Sequence, residues 1–193
     1  MRIIAGQWRS RTLVRPETPR TRPMPDRVKE ALFDVLGSRY ECPGELPPLR
    51  VADVFAGSGS MGLEALSRGA SHCWFFERER IALTALRKNI DTLDAVDRTD
   101  VITTDAWRSA VRASSAEPFE LVFLDPPYRE SEDTSQHGQV ARFLVRLTQE
   151  DDNRPLVVLH HPAKTRFGDD VPASWHIADQ RVFGSNGVTL FAR

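Results

Sequence analysis

Residues 51–62 read Val-Ala-Asp-Val-Phe-Ala-Gly-Ser-Gly-Ser-Met-Gly, and this stretch decides the fold. An apolar run is followed by glycines at 57, 59 and 62, and a helix is predicted from Ser60. This order is typical of a buried strand, a tight turn and a helix whose N-terminus faces a ligand. The glycine spacing satisfies the G-x-G-x-x-G pattern, so it predicts a nucleotide-like ligand at the edge of an α/β sheet.

Alternating apolar segments continue the pattern along the chain. We predict strands over 51–55, 73–77, 100–103, 120–125 and 155–160, with helices over 60–68, 79–91, 105–111 and 139–150. The segments 175–183 and 188–191 flank Gly184-Ser185-Asn186-Gly187, in which Asn-Gly is a hairpin signal. The predicted fold is therefore α/β, Rossmann-like, with seven strands, a mostly parallel sheet and a C-terminal antiparallel hairpin.

The N-terminal part has a different composition. Short strands over 3–8 and 11–14 predict a small β-hairpin extension, and a helix over 26–36 is expected to end at Gly37. Residues 1–30 carry eight basic and three acidic side chains, a net charge of +5 in a chain whose overall charge is −1. Arginine predominates and suits phosphate contacts. We therefore predict an RNA-binding region over 1–45 and a catalytic domain over 46–193.

Composition excludes several protein classes. The 193 residues are 40% apolar and 27% charged, and no apolar run approaches the roughly 18 residues of a membrane span. The start lacks the apolar segment of a signal peptide. Cys42 and Cys73 are too few for a disulfide framework or a zinc site. His160 and His161 diverge on a strand, so we predict no metal site, and we expect a cytoplasmic monomer.

Acidic residues at strand ends bear on the ligand. Asp53 lies four residues before Gly57, where its carboxylate would meet the ammonium group of a methionine moiety. Glu77 follows Gly57 by 20 residues, where it would bind ribose hydroxyls. Asp105 follows the third strand and either accepts from an adenine amine or caps a helix. A carboxylate beside the loop disfavours a pyrophosphate. The spacing favours S-adenosylmethionine and leaves a dinucleotide or a structural turn open.

The fourth predicted strand ends in Asp125-Pro126-Pro127-Tyr128. Two prolines fix an extended turn and remove two backbone donors, so acceptors remain beside an aromatic ring. An exocyclic amine of a nucleobase is a poor nucleophile, because its lone pair is delocalised into the ring. Acceptors on its two hydrogens would favour a pyramidal nitrogen facing a methyl donor. The motif predicts amino-group methylation of a planar base, while a strand-end cap is the structural alternative.

Both motifs together resemble the Rossmann-like class I methyltransferases that act on nucleobase amines. Longer segments resemble one bacterial family, which methylates N2 of a guanine in small-subunit (16S) ribosomal RNA. These segments are 2–6, 22–33, 55–59, 62–70 and 181–184. Two positions depart from the family: Met24-Pro25 replaces a hydroxyl-rich pair, and His160-His161 stands where relatives often carry an acidic residue.

The resemblance implies a role for each group of residues predicted above. S-adenosylmethionine would be bound by Asp53, Phe55, Ala56, Gly57, Ser58, Gly59, Glu77, Arg78, Asp105, Ala106 and Asp125. The methyl acceptor would lie at Asp125, Pro126, Pro127 and Tyr128. Ribosomal RNA or the small ribosomal subunit would be gripped by Arg2, Trp8, Arg9, Arg11, Arg20, Arg22 and Arg27. Lys88-Asn89 is expected on a helix surface.

Three other functions stay open at this point. The first is an enzyme that methylates an adenine or guanine amine in DNA or transfer RNA. The second is a catalytically silent RNA-binding module of the same fold. An NAD-dependent enzyme is the third.

Overall fold

The structure, a computed structural model, describes residues 1–16, 24–108, 118–150, 154–168 and 170–193. Its strands are β1 (Arg50–Val54), β2 (His72–Phe76), β3 (Thr99–Ile102), β4 (Leu121–Leu124), β5 (Leu156–Pro162), β6 (His176–Phe183) and β7 (Asn186–Ala192). Its α-helices are α1 (Asp26–Arg39), α2 (Ser60–Arg68), α3 (Arg80–Thr92), α4 (Tyr128–Ser131) and α5 (Gln139–Glu150). Among the described helices, none is both long and apolar enough to cross a membrane.

The seven strands form one sheet in the order β3-β2-β1-β4-β5-β7-β6. The first five strands are parallel, whereas β7 runs antiparallel to both β5 and β6. The order reverses between β1 and β4, so the carboxyl ends of these two strands open onto the crevice where such sheets bind ligands. This architecture confirms the predicted mixed α/β fold with its C-terminal antiparallel hairpin.

Two apolar layers enclose the sheet, because side chains alternate between its faces along each strand. Phe75 and Phe123 lie on the face covered by α1, α2 and α3, where Phe33 of α1 contacts Phe123 at 5.7 Å between ring centroids. Trp74 and Val122 lie on the opposite face with apolar side chains of α5 such as Phe143. Burial on both faces explains why the central strands read as continuous apolar runs.

The C-terminal hairpin turns at Gly184-Ser185, the first half of the predicted loop over 184–187. Gly184 has φ +60°, the conformation of a two-residue turn with glycine first, and Phe183 already pairs with Asn186. Asn186 therefore belongs to β7. The turn thus lies within the predicted loop 184–187, and β7 begins two residues earlier than predicted.

Two predicted helices also differ. Helix α1 does not end at Gly37 but continues to Arg39. Gly37 instead lets the segment after the helix pack closely, because a Cβ there would lie 2.8 Å from the Cys42 carbonyl oxygen. Of the helix predicted over 105–111, the described part (106–108) is a turn, and 109–111 lie outside the described residues.

The N-terminal segment forms a single antiparallel bridge, Arg2–Thr12, rather than the two predicted strands. Within the segment, Ile3 N–H donates to Arg11 O at 3.0 Å and Ser10 N–H donates to Ile3 O at 2.9 Å, while other backbone donors bind outside the segment. The N–H groups of Ile4 and Ala5 donate to the two carboxylate oxygens of Glu64 at 2.8 and 3.0 Å, and Gln7 N–H donates to Ser67 O at 2.8 Å. The segment is therefore an irregular hairpin that is also docked on α2.

Glu64 lies at the centre of a buried ionic cluster that joins three elements. Its carboxylate contacts Lys29 Nζ of α1 at 3.0 Å and Arg68 Nε at 2.8 Å, and all three side chains are almost completely buried. Lys29 Nζ also donates to the Arg2 carbonyl oxygen at 2.7 Å. Burial lowers the pKa of Lys29, and the nearby Glu64 carboxylate opposes that shift. The cluster ties the N-terminal segment, α1 and α2 together.

The predicted division between 1–45 and 46–193 remains a proposal about function. Structurally, Ile3, Leu13 and Phe33 belong to the same apolar cluster as Phe75 and Phe123 of the sheet. Residues on the two sides of the division therefore share a core.

Candidate active site

The predicted site residues meet at the carboxyl edge of the parallel strands. Asp125 N–H donates to the Val54 carbonyl oxygen at 3.1 Å, so the residue that follows β4 lies directly beside the end of β1. Phe55 N–H donates to Phe76 O at 3.0 Å, and Glu77 N–H donates to Ile102 O at 3.1 Å. These backbone bonds continue the sheet by one residue at each strand end. The glycine-rich loop and the Asp-Pro-Pro-Tyr segment are consequently neighbours.

Asp53 is buried at the foot of this edge, with 1% of its surface exposed. Its Oδ2 accepts the Gly62 N–H at 2.8 Å, which satisfies one of the free backbone donors in the first turn of α2. Burial raises the pKa of Asp53 to about 8. The Gly62 bond opposes this rise, and the negative charges of Asp125 and Glu77 add to it. The side chain is accordingly neutral at pH 7 and would ionise beside a ligand cation.

Glu77 shapes the glycine-rich loop from β2. Its Oε2 accepts the Gly57 N–H at 2.9 Å, and its Oε1 accepts the N–H groups of Arg78 and Glu79, each at 2.7 Å. Gly57 has φ +57°, and a Cβ added there would meet no atom within 4 Å. The backbone at Gly57 therefore has open space beside it, and a ligand could approach the loop closely there.

The other loop residues have packing contacts. Phe55 has φ +64°, an uncommon backbone conformation for a non-glycine residue, and its half-buried ring lies 4.9 Å from the Trp107 ring. Ala56 is buried, and Gly59 caps α2 with φ +80°. Ser58 is buried, and its carbonyl oxygen accepts from the Asn89 side chain at 2.9 Å.

Asn89 corrects a prediction. It is 1% exposed rather than on a helix surface, and its amide also pairs with the backbone of Val14 at 2.7 and 3.1 Å. The side chain thus joins the N-terminal segment to the glycine-rich loop. An asparagine within a helix of otherwise amphipathic pattern gave no signal of this role.

Asp105 lies after β3 and organises the next turn. Its Oδ1 accepts the Trp107 N–H at 3.0 Å, and its Oδ2 contacts Arg78 at 2.5 Å. The capping alternative is therefore observed, at a turn rather than at a helix. Ala106 is buried, and Arg146 of α5 donates to its carbonyl oxygen at 3.2 Å.

Asp125 to Tyr128 form the predicted acceptor rim. Asp125 has 29% of its side chain exposed, Pro126 is buried, and Pro127 is exposed at the start of α4. Tyr128 is half-buried, and its hydroxyl donates to Asn186 Oδ1 at 3.2 Å. The rim is anchored at both ends, by the bond from Asp125 to Val54 and by the bond from Tyr128 to β7.

Two residues that contact this rim, His160 and Asn186, were not predicted as site residues from the sequence. His160 is buried and contacts Asp125 Oδ1 through Nδ1 at 2.8 Å, and Asn186 Oδ1 through Nε2 at 3.0 Å. His161 points to the opposite face, where it contacts Thr189 Oγ1 at 2.8 Å, as expected for adjacent strand residues. The available signal was the position of His160 at the end of the predicted fifth strand, which lies within β5.

The predicted RNA contacts lie on the N-terminal segment and the start of α1. Arg2, Arg9 and Arg27 are exposed around a groove of about 280 Å³, which Asp26 and Glu30 also line. Arg20 and Arg22 lie outside the described residues.

Three of the predicted RNA contacts are engaged within the chain. Arg2 pairs with Asp26 at 3.3 Å, although it is exposed. Arg11 donates to the Thr92 carbonyl oxygen at 2.9 Å, although it is exposed. The Trp8 ring is covered on one face by the Arg98 guanidinium at 5.0 Å. Base stacking on Trp8 would therefore use its other face or displace Arg98.

Comparison with known proteins identifies the family. The model of the family described as Conserved hypothetical protein 95 matches residues 1–192. Ribosomal RNA small subunit methyltransferase D of Haemophilus influenzae is 39% identical over 196 residues, covering 99% of this chain and 93% of that protein. The Escherichia coli protein of the same name is 32% identical over 194 residues, covering 100% and 90%.

A solved structure supports the same conclusion. The Escherichia coli protein yhhF superposes with a TM-score of 0.76 at 31% identity, over 100% of this chain and 97% of that one. The fold is that of Rossmann-like class I methyltransferases. The chain therefore belongs to the family of Conserved hypothetical protein 95 and of ribosomal RNA small subunit methyltransferase D.

Proposed function

We propose that this protein transfers a methyl group from S-adenosylmethionine to the N2 amine of a guanine in small-subunit ribosomal RNA. The observation that carries the proposal is the bond from Asp125 N–H to Val54 O, which sets the acceptor rim beside the glycine-rich loop. The names of the relatives support a ribosomal RNA substrate. The choice of guanine N2 rests on the family resemblance.

The edge residues suit the parts of the proposed cofactor. Asp53 would receive its ammonium group, Glu77 its ribose hydroxyls, and Asp105 its adenine amine. Although Glu77 already accepts backbone bonds, a carboxylate has about four acceptor positions. When bound, the cofactor supplies an electrophilic methyl group, whose bond to sulfur breaks as the amine lone pair forms the new carbon–nitrogen bond. The open space at Gly57 is where its chain would pass.

The rim would orient the target amine. The Asp125 carboxylate and the Pro126 carbonyl oxygen would accept its two hydrogens, which favours a pyramidal nitrogen with its lone pair toward the methyl group. The Tyr128 ring would stack on the base, and its hydroxyl bond to Asn186 holds the ring in place. As the nitrogen gains positive charge, a proton passes to Asp125 or to water. A base reaches such a crevice only from a loop or after flipping.

The groove lined by Arg2, Arg9 and Arg27 would hold the RNA backbone. Guanidinium groups bind phosphates bidentately, and their effect is independent of base sequence. The groove lies on the segment that Glu64 ties to α2. RNA contacts there would therefore position the substrate relative to a rigid part of the catalytic domain.

The test is methyl transfer from labelled S-adenosylmethionine to small subunits and to naked 16S RNA, both taken from cells that lack this protein. Nucleoside mass spectrometry identifies the product, and Asp125→Asn serves as the inactive control. We expect one N2-methylguanosine per RNA. Methylation of an adenine or of a transfer RNA instead would contradict the proposal, and so would binding of NAD with no binding of S-adenosylhomocysteine in calorimetry.

A further inference from the structure

His160 occupies a buried position between two oxygen acceptors. Its Nδ1 lies 2.8 Å from Asp125 Oδ1 and its Nε2 lies 3.0 Å from Asn186 Oδ1, while 2% of its surface is exposed. Because β5 and β7 are antiparallel neighbours, the first residue of β7 reaches the imidazole from the side opposite Asp125. Both ring nitrogens are therefore used.

The orientation of the Asn186 amide follows from its other contacts. Its Nδ2 donates to the Phe183 carbonyl oxygen at 3.3 Å, which requires an N–H group on that side. Its Oδ1 consequently faces both Tyr128, whose hydroxyl lies at 3.2 Å, and His160. An amide oxygen and an ionised carboxylate can only accept, so His160 satisfies both partners only when each nitrogen carries a proton.

The surrounding charges agree with this protonation state. Burial lowers the pKa of His160, but the Asp125 charge and the bonds to Asp125 and Asn186 outweigh burial, and the pKa is raised above 6.5. The other titratable groups at this position are Tyr128 on α4 and His161 on β5. Burial is the main cause that lowers the pKa of His161, and the contacts of this side chain lie on the opposite face of the sheet.

We propose that His160 is a positioning residue for methyl transfer, acting as an imidazolium that holds Asp125 Oδ1 and leaves Oδ2 to accept from the substrate amine. A bond from a fixed ring prevents the carboxylate from rotating. The Asn186 bond fixes the ring in turn, and Asn186 also holds Tyr128. One side chain of β7 thus sets both the acceptor and the stacking group. The inference rests on the proposed function.

The role predicts a specific pH dependence. When His160 loses a proton, one of its two contacts must break, because both partners are acceptors. The rate of methyl transfer at saturating substrates should therefore fall on the alkaline side. Asn186→Asp places a second negative charge on the ring and should move that fall to higher pH. His160→Gln should lose this limb, with a rate about 10- to 100-fold lower and little change in cofactor affinity.

The experiment uses the full chain in four forms: wild type, His160→Gln, Asn186→Asp and the matched control His161→Gln. Histidine-selective nitrogen NMR reports the protonation of each ring without requiring activity, and His160→Gln assigns the signal. Single-turnover methylation of small subunits is measured across the same pH range. Any limb caused by Asp53 persists in His160→Gln, so only the difference between the profiles is attributed to His160.

We expect a doubly protonated His160 at pH 7, an alkaline limb shared by wild type and His161→Gln, and a shifted limb in Asn186→Asp. A neutral His160 at pH 7, or a His160→Gln rate equal to that of wild type, overturns the inference while the proposed function stands. A wild type that binds the RNA but transfers no methyl group overturns the proposed function, and the positioning role with it.

Discussion

The carboxylate of Asp53 accepts the backbone N–H of Gly62 at 2.8 Å. The residue proposed to bind the cofactor ammonium thus also caps the helix that follows the glycine-rich loop. Since Asp53 is buried and its pKa is raised to about 8, the unliganded protein keeps a protonated acid at the centre of its proposed cofactor site.

Asp53→Asn should make stability less dependent on pH. Between about pH 5 and 7 the folded protein retains the Asp53 proton, whereas the unfolded chain has lost it, so wild-type stability falls as the pH rises. Asparagine cannot ionise and still accepts from Gly62. In urea unfolding, the free energy of unfolding of the variant relative to that of wild type should rise by about 1.4 kcal/mol per pH unit in this range. Asp34→Asn, on the exposed side of α1, is the control. For this control, the difference in free energy of unfolding from wild type should not change with pH. The prediction is contradicted if the difference for Asp53→Asn does not change with pH either.

Asp125→Asn should lower the single-turnover rate of methyl transfer by about 100-fold or more, because the amide lacks the negative charge that stabilises the reacting amine. Asp125 is partly exposed and contributes its backbone to the sheet, so the fold should be retained. Affinity for the small-subunit RNA should change only slightly. A near-normal rate would remove Asp125 from the acceptor site.

Gly62→Ala should destabilise the protein by about 1–3 kcal/mol through overpacking. An added Cβ would lie 2.4 Å from Cys73 Sγ and 2.5 Å from Phe75 Cε1, both on the buried strand β2. Gly168→Ala is the matched control, because a Cβ there meets nothing within 4 Å. Thermal unfolding of the two variants should differ clearly. Equal melting temperatures would show that α2 can move away from the sheet.

Glu64→Gln should cost about 3–5 kcal/mol, since it leaves Lys29 and Arg68 buried without their common counter-charge. Glu132→Gln, which removes the exposed pair with Lys164, should cost about 1 kcal/mol or less. Chemical denaturation measures both. Similar small losses in the two variants would mean that the buried cluster contributes little to holding the N-terminal segment.

Arg9→Ala combined with Arg27→Ala should weaken RNA binding and reduce the slope of log affinity against log salt by about two. Each exposed arginine lines the groove of the N-terminal segment. Arg181→Ala on the edge strand β6 is the control, because Arg181 is paired with Asp179 there. A slope unchanged from wild type would place the RNA elsewhere on the protein.

The sheet and the acidic edge were predictable because their signals are local. A parallel strand with both faces buried requires a continuous apolar run, and the residue after it must lie at the carboxyl edge. Glu77 and Asp125 could thus be placed from the sequence, and Asp53, one residue before the end of β1, lies near the same edge. Their structural bonds, such as those from Gly57 to Glu77 and from Gly62 to Asp53, could not, because they depend on how closely the helices pack.

The contacts that sequence missed all depend on distant pairing. His160 meets Asn186 only because β7 returns antiparallel beside β5 in one particular register. The Asn-Gly pair is locally indistinguishable from a turn, yet the turn forms at Gly184. In the N-terminal segment, the predicted hairpin pairs at Arg2 and Thr12, but Ile4 and Ala5 donate to the buried carboxylate of Glu64 instead of extending a strand.

The carboxylate of Glu64 also affects the order in which parts of the chain become structured. Ile4 is separated by 60 residues from Glu64, and Val14 by 75 from Asn89. These bonds can form only after α2 and α3 have been synthesised, so docking of the N-terminal segment depends on non-local contacts.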